Sequence, residues 1–277
     1  MVVQPRDDRF QDDRFQDDRP QDDRPQGYGT GSAPERDRVR DPVNAADAIA
    51  EGVRGMAPAG IPHRLCVVAV ELLPVTGASV SLRGNGMPVR MSASDDAAAR
   101  VAEIQATLGD GPSLHAAETG APVLASDLTT GRDARRWPVF AQQAAESGVQ
   151  AVYSLPLGSG AVCVGTFDLY GDVPHELTEP ELHTARLVAG VMTLALMSLS
   201  HEEGEEGEGG VGEESWLSGL ATAQDETYQA IGMIMAQLGI GAEEALARLR
   251  ASAFAQGRTA LDVAHEVITY RKRFDRD

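Results

Sequence analysis

The feature that most limits how this chain folds is a run of glycine and glutamate at residues 201–215. The run holds seven glutamates and five glycines, with no lysine or arginine. Such a segment has little apolar surface to bury, its charges repel one another, and each glycine weakens a helix. We therefore expect an extended acidic linker that divides the chain into a larger region at 43–200 and a smaller one at 216–277.

A second segment without a core stands at the amino terminus. Residues 11–25 repeat a five-residue unit three times, as QDDRF, QDDRP and QDDRP. A period of five fits neither a helix nor a strand, and charged residues dominate the segment. We expect residues 1–42 to be a disordered repeat tail.

The residue pattern of the larger region predicts an antiparallel sheet flanked by helices, which is an α+β fold. Helical apolar spacing, proline at a first turn and capping residues predict helices at 61–73, 94–108, 138–147 and 179–199. Alternating or β-branched segments predict a hairpin from strands 77–83 and 87–91, a short strand at 122–127, and a second hairpin from 150–157 and 160–170.

The residue pattern of the smaller region predicts an all-α bundle. Three helices separated by glycines are expected at 224–238, 242–256 and 259–273. The apolar stripe of the first helix consists of Tyr228, Ile231, Ile234, Met235 and Leu238. The second helix carries Arg248 and Arg250 on the two shoulders of its apolar face. Thr259, with Asp262 three residues later, predicts a capping box at the start of the third helix.

Four ordered motifs in the larger region resemble those of a GAF domain, a regulatory module that binds ligands or cofactors. They are LGDGPSLHAAETGAPV at 108–123, WPVF at 137–140, GVQAVYSLPL at 148–157 and GTFDLY at 165–170. The resemblance implies a pocket between the sheet and the helices of 94–148, for a small molecule or cofactor whose identity is unknown. His115 is the one ligand-binding candidate, and a surface histidine is its alternative. A pocket packed shut, in a domain that serves only to dimerise, is the alternative for the whole region.

Three motifs in the smaller region resemble an ANTAR domain, a three-helix bundle that binds short RNA hairpins and so prevents a terminator from forming. They are QAIGMIM at 229–235, EEALARLR at 243–250 and GRTALDVA at 257–264. One departure is Ile231, at a position where a basic residue is common in the family.

Five residues are the candidates for RNA contact: Gly232, Arg248, Arg250, Arg258 and Thr259. A glycine in mid-helix costs about 1 kcal/mol relative to alanine, so Gly232 indicates close approach by another helix or by a ligand. Arginine side chains suit phosphate or a base edge, and Thr259 begins a helix whose free amides favour anions. A solvated helix face is the alternative for each arginine.

The whole chain resembles the GAF- and ANTAR-containing transcription antitermination regulators of the actinobacterial type. The resemblance implies a homodimer that binds RNA hairpins, whereas the lack of a secretory signal and of a membrane span predicts a cytoplasmic protein. A net charge of −18 opposes nucleic-acid binding, but residues 216–277 hold 7 Lys/Arg against 8 Asp/Glu and are close to neutral.

We find no secretory signal and no uninterrupted apolar run of membrane-spanning length. Cys66 and Cys163 have no metal-ligand spacing around them, and we expect both to be buried and inert. No nucleophile and base assemble from the motifs, so the chain is not predicted to be an enzyme.

Two other functions remain open. The helical tail could recruit a protein partner, or it could bind DNA through its third helix, which offers mainly His265, Glu266 and Thr269 to a groove. A separate hypothesis concerns control: the seven linker glutamates compete with RNA for the arginines of the tail.

Overall fold

The computed structural model describes residues 42–83, 87–159, 162–202 and 214–275. Within those ranges an antiparallel sheet with helices on both faces is followed by three further helices. The predicted fold class is therefore confirmed. Nearly all of the expected repeat tail, most of the expected acidic linker and the turn at 84–86 lie outside the described residues.

The sheet has five strands, and every neighbouring pair is antiparallel. They are β1 (Gly77–Leu82), β2 (Val89–Ala93), β3 (Val123–Ala125), β4 (Ala151–Ser159) and β5 (Val162–Gly171), in the order β2-β1-β5-β4-β3. Both predicted hairpins are present. The second strand of the first hairpin begins two residues later than expected, because Pro88 has no N–H to donate to a ladder.

Seven α-helices are described around the sheet. They are α1 (Pro42–Val53), α2 (Ile61–Leu72), α3 (Asp96–Leu108), α4 (Pro112–Thr119), α5 (Gly131–Arg136), α6 (Pro138–Glu146) and α7 (Glu179–Glu202). The sequence predicted α2, α3, α6 and α7 but missed the other three. α4 and α5 span only eight and six residues, which is too short for an apolar repeat to be recognised.

The two faces of the sheet differ in chemistry because alternate side chains of a strand point to opposite sides. One face is apolar and packs against α1, α2 and α7, with Val80, Tyr153, Phe167 and Leu169 buried in that core. The opposite face lies under α3 to α6 and carries buried polar residues, namely Ser79, Ser81, Ser154, Thr166 and Asp168. This polar face is where the structure can offer hydrogen bonds to a small molecule.

Helix α7 is long and apolar enough, over Glu179–Leu199, to cross a membrane by length and composition. Its inward side chains belong to the core of the sheet domain, and they include Leu182, Ala185, Val188, Met192 and Leu196. Burial against the sheet explains the apolar character of this helix. It does not indicate a membrane protein.

The last three helices form the predicted bundle. They are α8 (Glu214–Leu238), α9 (Ala242–Ala255) and α10 (Ala260–Ile268). Helix α8 begins ten residues earlier than expected, because the glycine run of the sequence stops at Gly212. Helix α10 ends five residues earlier, because Tyr270 adopts a left-handed φ of 58° and the N–H groups of Arg271 and Lys272 both bond to the carbonyl oxygen of Glu266.

The core of the bundle is made mainly of small and aliphatic side chains. Its buried members from these helices are Ala230, Ile231, Ile234, Leu238, Ala245, Leu246, Leu249, Ala253, Ala260, Val263, Ala264 and Val267. Four of the five predicted stripe residues of α8 face this core. The fifth, Tyr228, is 39% exposed.

Candidate nucleic-acid interface

The structure places the five predicted RNA-contact residues in two groups. Gly232 and Arg248 are exposed, whereas Arg250, Arg258 and Thr259 are partly buried. The sheet domain and the bundle form one compact unit. The second group lies where the two meet.

Gly232 lies in the middle of α8 on its exposed side. A side-chain carbon built at this position would meet no other described atom within 4 Å. The sequence analysis gave two explanations for Gly232, namely close approach by another helix or by a ligand. The first is wrong for the described helices. The open space above the α8 backbone remains accessible to a partner molecule.

Arg248 extends from the exposed side of α9. Its Nη2 lies 3.9 Å from Oε1 of Glu244, one turn earlier, and both side chains are about half exposed. An ion pair of this length and exposure contributes little to stability.

The start of α10 is well ordered by its own side chains. Thr259 accepts a hydrogen bond from the N–H of Asp262, and Asp262 accepts one from the N–H of Thr259, which confirms the predicted capping box. Arg258 donates to Oε1 of Glu266 at 2.7 Å, and this bond raises the pKa of Arg258. The guanidinium is thereby held against the carboxylate of Glu266, in the second half of α10.

Arg250 lies against the sheet domain. A side-chain carbon added to Gly109 would sit only 2.7 Å from Cζ of Arg250, so the guanidinium fills the space that this glycine leaves open. Burial lowers the pKa of Arg250. The nearby hydroxyl of Thr107 accepts a hydrogen bond of 3.1 Å from the N–H of Ala260, the first residue of α10.

A cleft of about 780 Å³ lies between the two domains, beside these contacts. Arg90, Arg100 and Glu103 line it from the sheet domain, and Arg258 and Thr259 line it from the bundle. Its charge is mixed, since Arg90 pairs with Glu103 at 2.9 Å.

A separate cavity of about 180 Å³ lies at the polar face of the sheet, where the resemblance implied a pocket. Ser113 of α4 and Thr166 of β5 form part of its wall, together with Arg83, Met87 and Glu118 at other points. The region of this pocket agrees with the prediction. Its wall residues were not predicted.

Behind the cavity wall lies a buried carboxyl group that the sequence analysis missed. Ser113 and Thr166 donate to Oδ2 of Asp168 at 3.0 and 3.3 Å, and their hydroxyls are 2.7 Å from each other. Burial raises the pKa of Asp168 to about 6, although these hydrogen bonds oppose the shift. The available signal was an acidic residue inside a strand whose neighbours Phe167 and Leu169 are apolar.

His115 does not line this cavity. Arg136 donates a hydrogen bond to its Nε2, and its ring lies edge-on to Trp137 with centroids 6.3 Å apart. The imidazole is thus engaged on the outer side of α4, away from the polar face of the sheet.

The two cysteines have different environments. Cys66 is fully buried, and burial raises the pKa of its thiol to about 12, which makes it unreactive. Cys163 is only partly buried, so the expectation that both thiols are buried is wrong for this residue. It lies at the second position of β5, where the strand reaches the edge of the domain.

Comparison with protein families gives two matches. Residues 61–197 match the GAF domain and residues 221–268 match the ANTAR domain. The chain therefore carries both modules, in the order that the sequence motifs indicated. An ANTAR domain implies an RNA-binding antitermination regulator, and a GAF domain implies a sensing or dimerising domain.

Comparison with solved structures gives GAF folds at low identity. A GAF domain of a phosphoenolpyruvate-protein phosphotransferase from Coxiella burnetii is 14% identical, with 60% of this chain and 98% of that chain covered and a TM-score of 0.48. A type II free methionine-R-sulfoxide reductase from Thermoplasma acidophilum is 13% identical, with coverage of 51% and 92% and a TM-score of 0.38. These likenesses carry no argument about function. A comparison with curated proteins finds no match.

Proposed function

We propose that this protein is a non-enzymatic, cytoplasmic regulator that binds hairpins in nascent RNA through its ANTAR domain and so favours transcription past a terminator. The observation that carries the proposal is the ANTAR match over 221–268, in which Gly232 and Arg248 stand exposed. Hairpin loops are recognised by shape, unstacked bases and phosphate contacts. A backbone open at Gly232 and an arginine on the neighbouring helix suit that kind of recognition.

The GAF domain supplies the signal in this proposal. Its cavity beside Ser113 and Thr166 is large enough for a small molecule and offers two hydroxyl groups. Recognition of paired hairpins implies two copies of the chain, so the active form is a homodimer. Light scattering of the full chain with and without RNA measures that state.

The DNA-binding alternative is weakened by contacts on α10. Two of the three side chains that it offers to a groove already have acidic or basic neighbours: Glu266 bonds to Arg258 at 2.7 Å, and Nδ1 of His265 lies 3.6 Å from Glu226. A recognition helix needs such side chains free to reach base edges.

The test is an RNA shift assay with the full chain. Tandem-hairpin leader transcripts should bind more tightly than scrambled RNA of equal length at the same salt concentration, and Arg248→Ala should weaken hairpin binding by about three- to tenfold. Arg132→Ala is the matched control, since Arg132 is a well-exposed arginine of the GAF domain. Equal affinity for hairpin and scrambled RNA would overturn the proposal. A pulldown that survives nuclease treatment would favour a protein partner instead.

A further inference from the structure

The carboxyl-terminal end of α3 packs onto the bundle at the groups that an RNA phosphate would use. Thr107 is 7% exposed, and its hydroxyl oxygen accepts from the N–H of Ala260. That amide belongs to the first turn of α10, whose N–H groups lack partners within their own helix and attract anions. An oxygen atom from the GAF domain thus occupies an anion-binding position of the ANTAR domain.

The same end of α3 also engages Arg250. The guanidinium lies against Gly109, which caps α3 in a left-handed conformation with a φ of 67°. The carboxyl-terminal end of a helix carries partial negative charge from its free carbonyl groups. Arg250 therefore lies beside the negative end of the α3 dipole and is covered there, since burial lowers its pKa.

Apolar contacts hold this end of α3 in place. Ala106 packs against the core of the bundle, and Met87 is buried in that core at 8% exposure. A contact that combines apolar burial with hydrogen bonding excludes water from the groups it covers. An RNA hairpin could not reach Arg250 or the amide of Ala260 without displacing the end of α3.

We propose that the end of α3, together with Met87, competes with RNA for one surface of the ANTAR domain, so that the docked GAF domain holds the protein in a low-affinity state. The inference rests on the proposed RNA-binding function. Because both domains belong to one chain, docking is intramolecular and acts at high effective concentration. The apparent affinity for RNA is then reduced by the fraction of molecules in the undocked state.

Met87 connects this contact to the cavity of the GAF domain. It lines the cavity of about 180 Å³ and is also a member of the bundle core, and Pro88 next to it lines the cavity as well. A molecule that enters the cavity meets the side chain that anchors the bundle. Displacement of Met87 is the structural route by which a signal undocks the ANTAR domain.

The experiment compares two glutamate substitutions on α3 in the full chain. Ala106→Glu places a charge in the apolar contact with the bundle, whereas Ala97→Glu adds the same charge at an exposed position of the same helix. Although added negative charge disfavours RNA binding, Ala106→Glu should tighten binding to tandem-hairpin RNA by about tenfold. Ala97→Glu should leave it unchanged or slightly weaker. Equal affinities for the two variants would overturn the competition.

Hydrogen exchange of the unmodified chain gives an independent measurement. Binding of hairpin RNA should accelerate exchange in the peptides that contain Met87 and Ala106–Gly109, because RNA displaces the docked contact. Unchanged or slower exchange there, with RNA bound, would overturn the inference while leaving the proposed function intact. Absence of hairpin preference in the wild-type chain and in every variant would overturn the proposed function itself.

Discussion

At the scale of single residues, Asp168 is the group whose environment differs most from its ordinary one. It is fully buried, and its pKa is raised from 3.8 to about 6. Between those values the folded protein retains a proton that the unfolded chain has lost. The contribution of Asp168 to the free energy of unfolding therefore falls as pH rises through this interval, and its penalty is complete above about pH 6.

Replacing Asp168 by asparagine should remove this loss of stability at high pH. We expect Asp168→Asn to be more stable than the wild type at pH 8 by up to about 3 kcal/mol, and to differ little from it at pH 4. Urea unfolding at a series of pH values, followed by circular dichroism, measures both effects. A stability difference between variant and wild type that does not grow between pH 4 and pH 6 would contradict the assignment.

Gly232 can be tested through opposite effects on stability and binding. Since nothing described lies within 4 Å of a carbon added there, Gly232→Ala should stabilise α8 by about 1 kcal/mol. It should also weaken binding to hairpin RNA, because the methyl group projects toward the RNA. Gly190→Ala, at an equally open position in α7, is the matched control. Gly190→Ala should stabilise the chain without changing RNA affinity. A loss of RNA affinity in both variants would show that the loss is not specific to position 232.

At the scale of secondary-structure elements, a pair of substitutions tests whether the hydroxyl of Thr259 stabilises the start of α10. Thr259→Ala removes the oxygen that accepts from the N–H of Asp262, and should destabilise the bundle by about 1 kcal/mol. Thr259→Ser retains that oxygen and should keep wild-type stability. Thermal unfolding measures the difference. Equal destabilisation by alanine and serine would show that the hydroxyl bond is not what stabilises this end.

The elements themselves were largely predictable from local pattern. The capping box of Thr259 and Asp262 was predicted from residue type and spacing, and both side chains accept the expected backbone hydrogen bond. Helices α4 and α5 were not recognised, because an element of two turns or fewer gains its stability from packing rather than from its own periodicity. The end of α10 was misplaced for a similar reason, since the N–H of Phe274 bonds to Gln237 of α8 and draws the chain back across the bundle.

At the scale of the whole molecule, two mechanisms could restrain RNA binding, and salt distinguishes them. The glutamates of 201–215 would act by charge, so replacing all seven by glutamine should raise RNA affinity at low salt and have no effect at high salt. Docking of α3 depends on apolar contact and is less sensitive to ionic strength. RNA titrations of the glutamine variant at about 50 mM and 500 mM salt measure the difference. Unchanged affinity at low salt would refute the role of the acidic segment.

The sequence by itself determined most of the elements and the two modules that they build. Alternation, helical spacing, capping residues and family motifs all act between residues close in the chain, so they remain visible in one dimension. The five candidate residues for RNA contact came from the same local motifs.

Only the tertiary structure decided which of those candidates are exposed. Thr107 and Ala260 are 153 positions apart and yet share a hydrogen bond, and Arg250 fills the space beside Gly109. The burial of Asp168 and the double position of Met87 likewise depend on how helices and sheet pack. Contacts between distant segments follow from the shape of the assembled surfaces, and no local spacing in the chain encodes them.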